Sequence, residues 1–209
     1  MSVLAHTRVG TGPRAMFLLH GFLGSARNLA SLARGLAQRV TACSVIALDL
    51  TGHGDSPALP PRPDLAAIAH DALDTARALG TPPPWTLIGH DRQTFRAWFR
   101  QAGLPPPAID WLLLNLAHEG KSYRWRIDRR ALTALYDEIG AEDLWPAVER
   151  RRAYTVHEIR GGASDHVPDA DVRRLEAAGC RVDTIEGASH FVHVERPEEL
   201  VDRIVQGLG

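Results

Sequence analysis

Lysine is almost missing from this chain. Lys121 stands alone among 24 Lys and Arg residues, so arginine carries the positive charge. A cationic patch at the surface therefore presents planar, fork-shaped donors rather than ammonium points. Cysteine is scarce as well: Cys43 and Cys180 are too few for a disulfide framework or a zinc cage, and a reduced, cytoplasmic setting is expected. Neither sign of charge dominates. The 24 basic and 25 acidic residues leave a net charge of −1, which gives no overall electrostatic footprint for nucleic acid. No apolar run approaches the roughly 20 residues of a membrane span. Residues 1–10 lack the apolar stretch of a secretory signal, so no membrane partner is expected. His-Glu-X-X-His, Cys-X-X-Cys and Gly-Lys-Ser/Thr patterns are missing too, so neither a metal nor a cofactor is expected.

What is present suits a globular protein. The 209 residues, 44% apolar and 23% charged, fit one ordinary domain or one domain with a small insertion. The first half alternates strand-like and helix-like segments. Met16-Phe17-Leu18-Leu19 is a short apolar run stopped by His20-Gly21, as in a strand buried on both faces. Ser25 offers a cap to a helix whose stripe is Leu29, Leu32, Ala33, Leu36, Ala37 and Val40. Residues 43–50 form a second run. Leu65, Ile68, Ala69, Ala72, Leu73, Ala76 and Leu79 form a second helical stripe closed by Gly80, and residues 85–88 a third run. The tail repeats the pattern: strands over 154–159 and 181–185, a helix over 170–178, and a last helix opening at Pro197 with Glu198 and Glu199 in its first turn. Strands alternating with helices predict an α/β fold, a mainly parallel sheet covered on both faces. Residues 92–145 show no clear strand and read as helical. The expected organisation is a core of 1–104 and 153–209, with a small helical lid inserted over 105–152.

In open parallel sheets, ligands bind beyond the carboxyl ends of the strands. Five such ends are polar and carry glycine. They are His20-Gly21-Phe22-Leu23-Gly24-Ser25, Asp49-Leu50-Thr51-Gly52-His53-Gly54-Asp55-Ser56, Gly89-His90-Asp91, Gly161-Gly162-Ala163-Ser164-Asp165 and Gly187-Ala188-Ser189-His190. Each is a weak signal alone; together they mark a site. An imidazole at a strand end takes and returns a proton near neutral pH. A neighbouring carboxylate fixes its tautomer and stabilises the imidazolium.

The order and spacing of these segments, with Trp125-Arg126 late in the chain, resemble the α/β-hydrolase superfamily, and within it the small, short-lidded acyl esterases. The resemblance implies a nucleophile elbow at residues 89–93, an acid at Asp165, a general base at His190, and an oxyanion hole. The backbone N–H groups of Phe22 and Arg92 would form that hole. It also implies a hydrolase acting on a small ester or acyl substrate.

The elbow departs from Gly-X-Nuc-X-Gly. It reads Gly89-His90-Asp91-Arg92-Gln93, with Asp at the nucleophile position and Gln in place of the last Gly. Only residues 94–108 separate it from Trp111-Leu112-Leu113-Leu114, so a helix and a strand of the family are expected to be missing. Three readings stand. In one, Asp91 is a carboxylate nucleophile of the dehalogenase or epoxide-hydrolase kind, with Arg92 and Arg96 holding a substrate carboxylate. In another, the lid joins the elbow strand directly and Asp91 is the N-cap of a lid helix. In the third, the fold is a catalytically degenerate binding module. Leu23, Arg96, Trp111 and Trp125 are the expected substrate contacts. The cluster Tyr123, Arg124, Trp125, Arg126, Arg129 and Arg130 reads as a solvated lid face. His118, His157 and His166 read as scattered loop and surface residues, and His193 as packing beside the last helix. The expected partners are a small-molecule substrate and, through a sheet edge left bare by the missing strand, a second copy of the chain in a homo-oligomer.

Overall fold

Arg14–Leu19 (β2) and Cys43–Leu48 (β3) are apolar without alternation, and a strand of that kind needs cover on both sides. In the computed structural model, Met16, Phe17, Leu18, Val45, Ile46, Ala47 and Leu48 are all buried. β2 and β3 pair in parallel along their full length, Arg14 opposite Cys43 through Leu19 opposite Leu48. Thr86–Gly89 (β4) lies parallel to β2 on its other side. The structure describes residues 3–21, 24–60, 64–89, 116–119, 122–125, 131–132, 134–135, 143–150 and 153–208.

Two units are distinguished, Met1–Ala141 and Glu142–Gly209. In the first, His6–Val9 (β1) runs antiparallel to β3 and completes the order β1-β3-β2-β4. A 3₁₀ turn, Ala26–Leu29, leads into the helix Ala30–Arg39 (α1), which packs on β3 through a face containing the buried Leu32, Ala33 and Leu36. Leu65–Ala78 (α2) starts at Asp64, whose carboxylate accepts the Ala66 N–H. Its Ala76 joins Leu4, Ala15, Phe17, Ile46 and Leu48 in one core, with the Phe17 ring edge-on to Trp85 at 6.0 Å. A buried Phe of this kind supplies about 2–3 kcal/mol of transfer free energy. Leu132 and Leu135 pack with Leu59 and Ile68 in a smaller cluster. Leu116–Glu119 (β5) and Ser122–Trp125 (β6) pair antiparallel.

In the second unit, a short helix Trp145–Glu149 (α3) precedes the strand His157–Gly161 (β7). Asp169–Ala177 (α4) crosses over to Arg181–Ile185 (β8), which lies parallel to β7. Val192–Glu195 (α5) and Pro197–Gly207 (α6) follow, and Ile185, Ala188 and Val192 form the buried centre.

Four expectations need correction. The segment 92–145 was expected to be strand-free, yet it contains β5 and β6. The sequence Ser122-Tyr123-Arg124-Trp125 places strand-favouring aromatics on alternate positions, and two residues separate it from Glu119 in a hairpin register. β1 was not foreseen, because His-Thr-Arg-Val on an exposed edge strand carries no apolar pattern. Ser25 precedes the 3₁₀ turn but does not cap it with its side chain; its hydroxyl donates to Asn28 Oδ1 at 2.8 Å. His157 is no loop residue: it opens β7, with Nε2 2.9 Å from Asp183 Oδ2.

Candidate functional site

In the first unit, the loops after β2 and β3 are tied together by one carboxylate. Asp49 is 5% exposed. Its Oδ1 accepts the Ala26 N–H at 2.6 Å and its Oδ2 the Asp55 N–H at 3.0 Å. Its own carbonyl accepts the Ser56 hydroxyl. Gly54 sits at φ +54°, and a Cβ there would overlap the Asp49 carboxylate, so the turn needs glycine at that point. His20, 4% exposed, bridges the two loops. Its Nε2 accepts the Leu50 N–H at 3.0 Å, so the ring proton is on Nδ1, which donates to the Gly21 carbonyl at 2.8 Å. The His53 ring lies against it at 4.7 Å and donates from Nδ1 to the Thr51 carbonyl. The Gly24 N–H closes a turn on the Gly21 carbonyl at 2.8 Å. This turn brackets Phe22 and Leu23, which lie outside the described residues.

In the second unit, the loop after β7 hangs on the loop after β8. The Gly162 N–H donates to the Ile185 carbonyl and the Ala163 N–H to the Ala188 carbonyl. A Cβ at Gly161 would overlap the Ser189 carbonyl, so the close approach depends on glycine. Arg160 secures the far side of the β7 loop, donating to the Val167 carbonyl at 2.7 Å and to Asp169 at 2.9 Å. Glu195 in α5 secures the β8 loop, accepting both the N–H and the hydroxyl of Ser189, at 2.7 and 2.6 Å. The sequence reading passed over Glu195; its spacing of six residues from Ser189 fits no helical or strand period.

Asp165 and His190 thus reach the same end of the β7–β8 pair, with His166 beside both. The Asp165 side chain is 87% exposed and accepts from His166 Nδ1 at 3.0 Å. The His166 side chain is 10% exposed, and its ring lies over His190 at 4.3 Å with 34° between the planes. Phe191 closes the other side of His190, edge-on at 5.6 Å. His166, expected as a scattered loop histidine, is the described neighbour of both site residues. Asp165 is not a helix cap: α4 starts at Asp169 behind Pro168. Of the other expected site residues, Asp91, Arg92, Arg96 and Trp111 fall outside the described residues. Trp125 is described only as the last residue of β6, opposite Leu116.

In the β7–β8 pair, burial opposes the charge of Asp183. Hydrogen bonds from His157 and Arg181 and the charge of Arg181 outweigh that effect and hold its carboxyl below the usual range. Burial pushes the Cys43 thiol up, against the smaller effect of Arg14, which suits an inert core residue. Cys43 and Cys180 are both buried and free. Among the described residues, no group of three His, Cys, Asp or Glu side chains is placed to hold a metal ion, and no helix is long and apolar enough to cross a membrane.

Comparison with known proteins gives two family matches: "alpha/beta hydrolase fold" over residues 14–92 and "Alpha/beta hydrolase family" over residues 91–203. The sn-1-specific diacylglycerol lipase ABHD11 of Mus musculus is 23% identical, over 93% of this chain and 80% of its own. That alignment runs over 254 positions, longer than the chain itself, so the relative carries inserted residues. Among solved structures, E-2-(acetamidomethylene)succinate hydrolase superposes with a TM-score of 0.78 at 18% identity, covering 97% of this chain and 94% of that one. The enol-lactonase of Burkholderia xenovorans superposes at 0.72 and 17% identity, covering 98% and 96%. At these identities the likeness concerns the fold.

Proposed function

The chain belongs to the alpha/beta hydrolase family, and from that premise we propose that it hydrolyses a small ester or other acyl derivative with His190 as general base. The observation that carries this reading is the imidazole pair His166–His190 with the Asp165 carboxylate, held at the carboxyl end of a parallel strand pair. In this reading His190 removes a proton from an attacking water and returns it to the departing alcohol, while Asp165 stabilises the imidazolium. The backbone N–H groups of Phe22 and Arg92 receive the developing oxyanion. Asp91 occupies the nucleophile position, and residues 105–152 supply the lid with Trp111 and Trp125 as substrate contacts. Leu23 and Arg96 are the further substrate contacts of this reading.

A second reading is favoured by the Gly89-His90-Asp91-Arg92 sequence. There Asp91 attacks an alkyl carbon and expels a halide or opens an epoxide, and His190-activated water cleaves the resulting ester.

The deciding experiment is turnover of nitrophenyl esters, haloacids and epoxides by the purified chain, with His190→Ala as control. Ester turnover lost in the mutant supports the first reading. Turnover of haloacids or epoxides, with oxygen-18 entering Asp91, supports the second. No turnover above the mutant on any class overturns both and leaves a binding scaffold.

A further inference from the structure

His166 has no part in the roles assigned above, yet its surroundings are unusual for a loop residue. Its side chain is nine-tenths buried beside an exposed carboxylate. An ionised carboxylate only accepts, so the Asp165–His166 bond puts the ring proton on Nδ1. Nε2 is shut off from solvent and has no hydrogen-bond partner among the described residues, so a second ring proton there would be buried without an acceptor. A buried polar atom left in this state carries a desolvation cost, and a catalytic role is one of the reasons such atoms are retained. The ring face meets His190 at 4.3 Å. At that distance the charge states of the two imidazoles are not independent: a proton on one opposes a proton on the other. A neutral His166 adds no charge against a proton on His190, and its ring packs on the base.

We propose that His166 is a positioning residue for His190: it is locked by Asp165 into the Nδ1–H form, and as a neutral ring it orients the base and supports its protonated state. This rests on the reading of His190 as the general base. Glu195 accepts from Ser189, and Asp169 pairs with Arg160. The Asp165 carboxylate touches the His166 ring directly.

The test uses the full chain, with His166→Phe, which keeps the ring but loses the Asp165 bond, and His166→Gln, which loses the ring. Circular dichroism confirms folding of each. On the best ester, haloacid or epoxide, both variants are expected to lower kcat about tenfold to a hundredfold, with KM within about twofold and the acid limb of the pH–rate profile displaced. An unchanged acid limb in both variants overturns the proposal. Nitrogen-15 spectra of the imidazoles provide an arm that needs no turnover. His166 should show a protonated Nδ1 and bare Nε2, and Asp165→Asn should move the titration midpoint of His190. An Nε2–H form of His166, or a His190 midpoint indifferent to both Asp165→Asn and His166→Phe, overturns it. If the wild type turns nothing over but the spectra behave as expected, the hydrolase reading fails while the coupling stands.

Discussion

Two pairs of closely packed histidine rings sit at strand ends of this chain, and they differ in what their ring nitrogens meet. His20 and His53 are each 4% exposed and spend their described hydrogen bonds on main-chain groups: Gly21 and Leu50 for one, Thr51 for the other. His166 and His190 are partly open, with a carboxylate on one ring and a nitrogen lone pair held without a described partner. Backbone partners on both ring nitrogens fix the tautomer of His20. A solvent-facing carboxylate instead tunes a ring that can still react. The first pair fastens loops; the second carries the proposed chemistry. The carboxylates divide in the same way. Asp49 is enclosed and joins two loops, whereas Asp165 is exposed and touches a ring.

The contrast can be broken in order of size. Replacing His190 by Ala should lower turnover by about a hundredfold to ten-thousandfold, while the urea midpoint stays near the wild type. A mutant that unfolds would place His190 with the fastening pair. Asp49→Ala should reverse that pattern: unfolding by urea should show a loss of about 3 kcal/mol, because the Ala26 and Asp55 N–H groups lose their acceptor. A stable Asp49→Ala protein would remove the distinction. Glu195→Ala frees the Ser189 loop and should cost about tenfold in kcat through misplacement of His190, with less effect on stability than Asp49→Ala. The smallest effect concerns Asp183. Its carboxyl titrates lower in the folded chain than the unfolded value near 3.9. The stabilisation is therefore complete above about pH 4 and is lost as pH falls through the folded value. Asp183→Asn should be less stable than the wild type at pH 7, and the gap should close in acid. A gap constant from pH 7 to pH 3 would mean that the His157–Asp183–Arg181 cluster contributes shape rather than charge.

The sequence announces what depends on composition and local chemistry. β8 occupies residues 181–185 as expected, and α6 opens at Pro197 with Glu198 and Glu199 in its first turn. Gly54 is needed where the turn after Asp49 was anticipated. The elements that escaped are held by neighbours rather than by their own pattern. β1 exists because β3 offers it a ladder, and its exposed residues leave no trace of that pairing in the sequence. α5 is four residues long, too short for a periodic stripe. The site follows the same rule. Asp165 and His190 stand out by their glycine-rich surroundings, but no spacing reveals that His166 would turn its ring onto His190. Nor does any reveal that Glu195 would hold the loop from six residues away.

β1 has one more effect. It ends the four-stranded order with only four residues, and its side chains include His6 and Arg8, the latter reaching back to Ser44 Oγ at 2.7 Å. A foreign strand arriving at this border finds a short ladder and must dehydrate a guanidinium and an imidazole to use it. The apolar ribbon of β2 and β3, which would self-associate readily if laid bare, is thus fenced on this flank by the least conspicuous segment of the chain.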